Sequence, residues 1–376
     1  MNVPRILAAA AVAAFTAAGL GQAAGRAPAS PASDWSVDRL DTYMITPVTG
    51  PTSRNRTDLR WYVYGTDLGH MFEHEGRLYM AFGDSFGPPG HPPTFGDDWR
   101  SNLLAWSRDR DPRDGISFEG MITDRPGHAK ELIRDEDVPL EEQPSTTIPT
   151  NGISLGKRMV LHYMAVRAFT GPGFWSLTGS GLAYSDDDGN TWTLPEDATW
   201  PEGSNFGQVA FVEQGAHAYL FGIPGGRFGA AKLARVERDR LLDLERYEFW
   251  DGTRWAATED DAAVVVPAPV GELSVQWNSH YRKWLMTYLN DDDQVNAVVI
   301  RTADCLTGPW SEEEVIVTAE EAPQLYAPYI PPRWNNGPDV YFTLTQFGPY
   351  DVFWWHTSLN GVSPSDERPR CVSPRS

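Results

Sequence analysis

Helical periodicity is nearly absent from this chain, and cysteine is scarce. The first absence argues against a helical bundle or an alternating α/β fold, since both need repeated amphipathic stretches of 3.6-residue period. The second excludes a disulfide scaffold or a four-cysteine zinc site, because only Cys305 and Cys371 are present. In an oxidising compartment the two could pair and tie the C-terminal tail to the body. Basic charge is short as well: 31 Lys and Arg face 51 Asp and Glu, a formal net charge of −20. Nucleic acids and anionic lipid surfaces demand basic patches, so neither is an expected partner. A neutral polymer suits such a chain. The familiar catalytic signatures are missing too, with no G-x-S-x-G elbow, no H-E-x-x-H and no phosphate-binding glycine loop. The eight histidines show no ligand spacing; His70 and His74 are four apart but read as strand. Asp291-Asp292-Asp293 reads as a solvated acidic loop before it reads as a calcium site. No metal and no cofactor is expected.

Long apolar runs are confined to the start. Arg5 is the only charge before an alanine-rich apolar stretch at 6–20, and small residues follow at Gly21, Ala23, Ala24 and Gly25. A basic start, an apolar middle and a small-residue exit are the pattern of a secretory signal peptide. The stretch lies near the short end of the roughly 17–25 apolar residues a spanning helix needs. The expected organisation is a signal peptide at 1–24, a flexible linker at 25–35, one catalytic domain at 36–365 and a tail at 366–376. The product would be an exported monomer, extracellular or in the cell envelope, with no lasting membrane insertion.

What is present in quantity is turn chemistry and aromatic surface. Gly, Asn, Asp and Pro punctuate short apolar or alternating runs, as strands and hairpins require. Hairpins can be read at 68–73 with 78–82, 152–155 with 159–164, 208–213 with 218–221, 273–278 with 283–288, and 326–330 with 340–345. A third strand follows each, at 102–108, 180–185, 230–236, 297–302 and 352–357. Five strand modules predict an all-β, five-bladed β-propeller, with a β-sandwich as the alternative. Residues 41–48 would supply the last blade with its missing strand and close the ring. A stretch at 230–246 mixing charge with leucine also reads as helix. Ser185-Asp186-Asp187-Asp188-Gly189-Asn190-Thr191-Trp192 fits the Asp-box turn S-x-D-x-G-x-T-W of propellers, a structural motif that does not bear on catalysis. With 15 Trp, 14 Tyr and 16 Phe, some aromatic faces are expected to line a groove and stack on sugar rings.

The first module carries the candidate chemistry. Asp67 should stand just before its first strand and Asp84 just after its second. A hairpin returns to its own edge and adjacent strands lie roughly 4.8 Å apart, so the two carboxylates should come within about 5–10 Å. Glycosidase carboxylate pairs occupy that range. The plainer reading is that both are turn residues. By the same logic the starts of the other inner strands bring Asn151, Asn205, Gln208, Glu272 and Tyr326 to one face, where amides, a carboxylate and a phenol could grip sugar hydroxyls. Glu272, set among apolar strand residues, could instead tune the other acids or serve as a buried structural partner. Position along the strand favours Asp67 as base and Asp84 as acid. A sialidase is disfavoured, because this group holds no arginine.

Gly-Thr-Asp-Leu-Gly (65–69), Phe-Gly-Asp-Ser-Phe (82–86) and Gly-Glu-Leu-Ser-Val (271–275) resemble the domain-of-unknown-function 4185 family, classed as glycoside hydrolase family 183, the endo-D-arabinanases. The resemblance covers roughly 41–359. It implies a five-bladed propeller that hydrolyses internal α-D-arabinofuranosyl linkages of arabinogalactan and lipoarabinomannan in mycobacterial-type envelopes. It also implies inversion at the anomeric carbon, and it places the essential acids on Asp67 and Asp84. The competing function is a lectin-like propeller that holds a glycan without cutting it.

Overall fold

Each of the five expected hairpins grows into an antiparallel sheet of four or more strands. The computed structural model describes residues 35–362 and Cys371, so the signal-peptide reading and most of the tail lie outside the described residues. Blade one is built from Gly65–His74, Arg77–Phe86, Leu103–Ser107 and Gly120–Met121. Blade two uses Thr146–Leu155, Arg158–Gly171, Phe174–Ser185 and Thr199–Pro201. In blade three, Gln208–Gln214, His217–Ile223 and Gly229–Glu237 are followed by Glu248–Trp250 and Trp255–Ala256, and Val264–Val270 also pairs with the third strand. Blade four comprises Leu273–Asn278, Lys283–Asn290, Ala297–Ala303 and Glu314–Thr318.

Blade five closes the ring with both ends of the chain. Leu325–Tyr329, Asp339–Gln346 and Asp351–Asn360 come from the C-terminal side. Tyr43–Pro47 pairs with the last of these in the register Tyr43↔His356 and Met44↔Trp355, and Ser36–Val37 joins the same strand at Ser36↔Asn360. The innermost strands touch in cyclic order, blade five meeting blade one. A closed ring leaves no open edge at the centre.

The core lies between blades rather than inside one sheet. Phe72, Tyr79 and Leu161 fill the junction of blades one and two, and Trp200, Phe206 and Phe249 fill that of blades two and three. Each such side chain contributes roughly 1.5–3 kcal/mol on leaving water. Cys305 and Cys371 are bonded, with Cα atoms 5.4 Å apart, and fasten the tail beside blade four.

Two expectations need correction. The stretch 230–246 is not helical: Gly229–Glu237 is a strand whose Ala231 and Leu233 enter one inter-blade core and whose Ala234 and Val236 enter the opposite one, so period two prevails over 3.6. Short 3-10 turns at Arg238–Arg240 and Leu244–Arg246 take up the rest. Secondly, Asp67 and Asp84 do not flank their strands; they lie within them, because pairing continues outward to Gly65↔Phe86.

Candidate active site

The register of the first hairpin breaks where the acids sit. Thr66 faces Ser85 and Leu68 faces Phe82, so Asp67 alone opposes the pair Gly83-Asp84. Two residues against one make a β-bulge, which bends a strand and re-aims its side chains. Leu68 and Gly69 both have positive φ, 65° and 85°, and Ala327 in the inner strand of blade five has φ 53°. For Leu68 and Ala327 this conformation costs about 1–2 kcal/mol each, and both lie next to a site residue. Gly83 is needed for a different reason. A Cβ there would collide with Asp67 Oδ1, so the carboxyl can fold across the opposing strand only over a glycine.

All five blades meet at these acids. The Tyr326 hydroxyl of blade five donates to Asp67 Oδ2 at 3.0 Å. Asp84 Oδ1 accepts from Thr146 Oγ1, at the start of blade two, at 2.6 Å and from Trp99 Nε1 at 2.8 Å. Glu272, at the entrance to blade four, accepts from Arg227 Nε at 3.0 Å. Arg227 comes from a blade-three loop, lies over the Tyr326 ring at 4.8 Å and stands 3.6 Å from Asp291. Two carboxylate oxygens in this group, Asp67 Oδ1 and Glu272 Oε2, are buried and have no hydrogen-bond partner in the protein. Buried acceptors are nearly always satisfied, so both are suited to meet a substrate hydroxyl or a reacting water.

Burial, joined by like charges nearby, pushes both acids toward the protonated form. Asp67 is raised to about 8, first by burial and then by the charge of Asp84, against the hydrogen bond of Tyr326 and the nearby Tyr350 hydroxyl. Asp84 is raised to about 6 by burial, with the bonds from Thr146 and Trp99 holding it lower than its neighbour. Burial would depress Arg227, but Glu272 and Asp291 outweigh it and keep the guanidinium charged. One proton-rich and one proton-poor carboxyl in one site is the electrostatic form of an acid–base pair.

The other expected residues are placed differently. Asn205 donates its side-chain amide to Gly222 O at 3.0 Å, and Gln208 donates to Pro224 O at 3.1 Å and Gly226 O at 2.9 Å. Both amides lock blade-three backbone; through that turn Gln208 supports Arg227. Asn151 Oδ1 accepts from Gly152 N at 2.8 Å, a local strand contact. Sequence reasoning missed Arg227, Trp99, Thr146 and Tyr350. Only the glycines around Arg227, at 225, 226 and 229, gave a hint of close approach.

Aromatic rings lie beside Arg227 and beside Asp84. Phe174 and Phe228 stack at 4.3 Å and are 53% and 37% exposed, beside the turn in which Gly173 O accepts from Arg227 N. Beside Asp84, Trp99 stacks on Phe86, with Phe95, Phe347 and Tyr350 clustered nearby. A separate cleft of about 720 Å³, lined by Leu140, Arg167, Trp200 and Glu202 among others, has no such chemistry. There Arg167 neutralises Glu142 at 2.8 Å and Glu202 at 2.6 Å.

Residues 52–356 match the family described as Domain of unknown function (DUF4185), and the match spans both aspartate phrases. Notoamide biosynthesis cluster protein J of Aspergillus sp. (strain MF297-2) is 30% identical over 309 residues, 77% of this chain and 81% of that protein. Protein J′ of the same description from Aspergillus versicolor is 30% identical over 294 residues, 74% and 79% of the two chains. Among solved structures, a Bacteroides ovatus protein labelled a hydrolase aligns with TM-score 0.57 and 14% identity over 80% of this chain and 87% of its own. The GH43_1 enzyme of Xanthomonas citri aligns at 0.50 and 13%, covering 79% and 89%. At such identity the likeness speaks for the propeller alone. No helix among the described residues is long and apolar enough to cross a membrane.

Proposed function

The chain belongs to the DUF4185 family, and from that premise we propose that it is a secreted glycoside hydrolase cutting internal α-D-arabinofuranosyl linkages of cell-wall D-arabinan. The observation that carries the hydrolase reading is the bulged hairpin that sets Asp67 against Gly83-Asp84, with a different proton affinity on each acid. The solved propellers of similar fold include a GH43_1 glycosidase, which supports a glycan as substrate class. The family resemblance of the two aspartate phrases supplies the sugar.

The proton order suggests roles opposite to those read from strand position. Asp67, protonated to higher pH, gives its proton to the glycosidic oxygen as the bond to the anomeric carbon breaks. Asp84, ionised at neutral pH, takes a proton from the water whose oxygen bonds to that carbon from the opposite face, giving inversion. Tyr326 orients Asp67, while Trp99 and Thr146 orient Asp84. Arg227 is neutralised by Glu272 and Asp291, which suits an uncharged sugar and disfavours a sialic acid carboxylate. The exposed Phe174–Phe228 stack would support distal sugars of a long chain, as an endo-acting enzyme requires. The same rim would serve the competing reading, a propeller that binds glycan without turnover.

The test is incubation of the purified protein with defined D-arabinan, L-arabinan and sialosides. Oligosaccharides released from D-arabinan alone are expected, and proton NMR of the first-formed product should show the inverted anomer. Binding to D-arabinan without any release would favour the lectin-like function.

A further inference from the structure

The Asp box plays no part in the hydrolytic reading, yet it brings an unused carboxylate against an unused imidazole. The turn is held by Ser185, Asp187 and Thr191: Asp187 Oδ1 accepts from Ser185 Oγ and Thr191 N, each at 2.8 Å, and its Oδ2 accepts from Thr191 Oγ1 at 2.7 Å. Asp188, one of the variable positions of the motif, adds no side-chain bond to the turn. Its carboxylate instead faces the tip of the first hairpin across the junction of blades one and two. There His74 ends the inner strand, followed by the turn residues Glu75 and Gly76.

His74 is 2% exposed, and its Nε2 is buried without a hydrogen-bond partner. Asp188 Oδ1 stands 3.6 Å from that nitrogen, beyond hydrogen-bond length. Two ligands bonded to a tetrahedral zinc at about 2.0–2.1 Å lie roughly 3.3–3.4 Å apart, close to this spacing. A carboxylate oxygen of Glu75 completes a set of three ligand atoms within 4.8 Å of one another. The other ring nitrogen has a partner that is compatible with metal ligation at Nε2. Nδ1 lies 2.7 Å from Ser154 Oγ, a hydroxyl that can accept from it. When Ser154 accepts from Nδ1–H, the lone pair is on Nε2, the tautomer a metal ligand requires.

From these contacts we infer that His74, Glu75 and Asp188 form a zinc site that staples blade one to blade two. The imidazole selects zinc or a similar transition ion over calcium and magnesium, which prefer oxygen ligands alone. The site is not part of the reaction centre. Asp67 lies near the start of the strand that His74 ends, so about 20 Å of strand separates them. The competitor on the page is Arg77, whose Nη1 lies 3.6 Å from Asp188 Oδ2. That guanidinium is parked over the Trp106 ring at 4.7 Å and on the Tyr79 hydroxyl at 3.2 Å, facing the other carboxylate oxygen.

The experiment uses the tag-free exported chain, stripped with chelator and titrated calorimetrically with zinc chloride or calcium chloride. One zinc per chain is expected, with dissociation in the micromolar range or tighter and no response to calcium. At zinc a hundredfold above that constant the melting temperature should rise by about 3–6 °C. Asp188→Asn and His74→Gln should each abolish stoichiometric binding. Asp188 makes no bond to its own turn, so the Asp188→Asn protein should melt like the metal-free wild type, which separates lost binding from lost folding. Absence of saturable zinc binding by the wild type would overturn the inference. Undiminished binding in both variants would do the same.

Discussion

In blade three, Asn205 and Gln208 hand their side-chain hydrogens to backbone carbonyls of their own blade and its turn. In blade one, Asp67 occupies a comparable position at the mouth of the inner strand and leaves Oδ1 without a partner. The backbone differs accordingly. Blade three pairs without a register break from Gln208↔Ile223 to Gln214↔His217, whereas blade one is bulged at the acids and carries positive φ at Leu68. A polar residue that is fully bonded at a strand entrance builds the ring. One that is buried, strained and incompletely bonded is available for chemistry.

The largest effect that sharpens this contrast is expected at the acids. Asp67→Asn and Asp84→Asn should each lower turnover of D-arabinan by about 10²–10⁴-fold. An aryl D-arabino-oligosaccharide with an activated leaving group should restore much of the rate to Asp67→Asn and none to Asp84→Asn, since such a leaving group needs no proton. Rescue of the other variant would reverse the proposed roles.

Gly83→Ala should come next. The added methyl displaces the Asp67 carboxyl without removing it, and misplacement of a reacting group should reduce kcat by about 10–100-fold. Circular dichroism unchanged from wild type would assign the loss to position rather than folding. Wild-type kcat in this variant would mean that the carboxyl need not lie across Gly83.

Acidity gives a third comparison. The folded protein keeps the Asp67 proton to about pH 8, whereas an unfolded chain releases it near pH 4. The folded state thus binds more protons between those values, and its stability falls as pH rises through them. Asp67→Asn removes that penalty, so the variant should match wild type near pH 4 and exceed it by about 1–3 kcal/mol above pH 8 in denaturant melts. The kcat/KM profile of the wild type should be bell-shaped with limbs near 6 and 8, belonging to the coupled pair. Identical pH–stability curves for the two proteins would contradict the burial account.

The smallest effect belongs to blade three. Asn205→Ala removes two structural bonds and should cost about 1–2 kcal/mol of stability while leaving kcat unchanged. A large loss of turnover there would erase the distinction between the two blades.

The fold was legible because its signals are local. The blade-four hairpin, read at 273–278 with 283–288, forms at Leu273–Asn278 with Lys283–Asn290. The closing strand was legible from the missing fourth strand of blade five. What could not be read depends on neighbours brought together late. Arg227 approaches Tyr326 from a loop of another blade, and Trp99 reaches Asp84 through an irregular segment without periodicity. His74 and Asp188 are ligands only across a blade junction, so their spacing in sequence carries no metal signature. The bulge itself was hidden, because pairing out to Gly65↔Phe86 looks in sequence like a shorter hairpin with flanking turns.

The most direct test sets the doubly substituted Asp67→Asn/Asp84→Asn protein beside the wild type on the same defined linear D-arabinan, with product release and equilibrium binding measured on one preparation. The expected result is release of oligosaccharides by the wild type alone, with affinities for the intact chain within about threefold, because the flanking aromatic rings and Arg227 are untouched. Release at the wild-type rate by the double variant would show that the chemistry lies elsewhere than in the bulged hairpin of blade one.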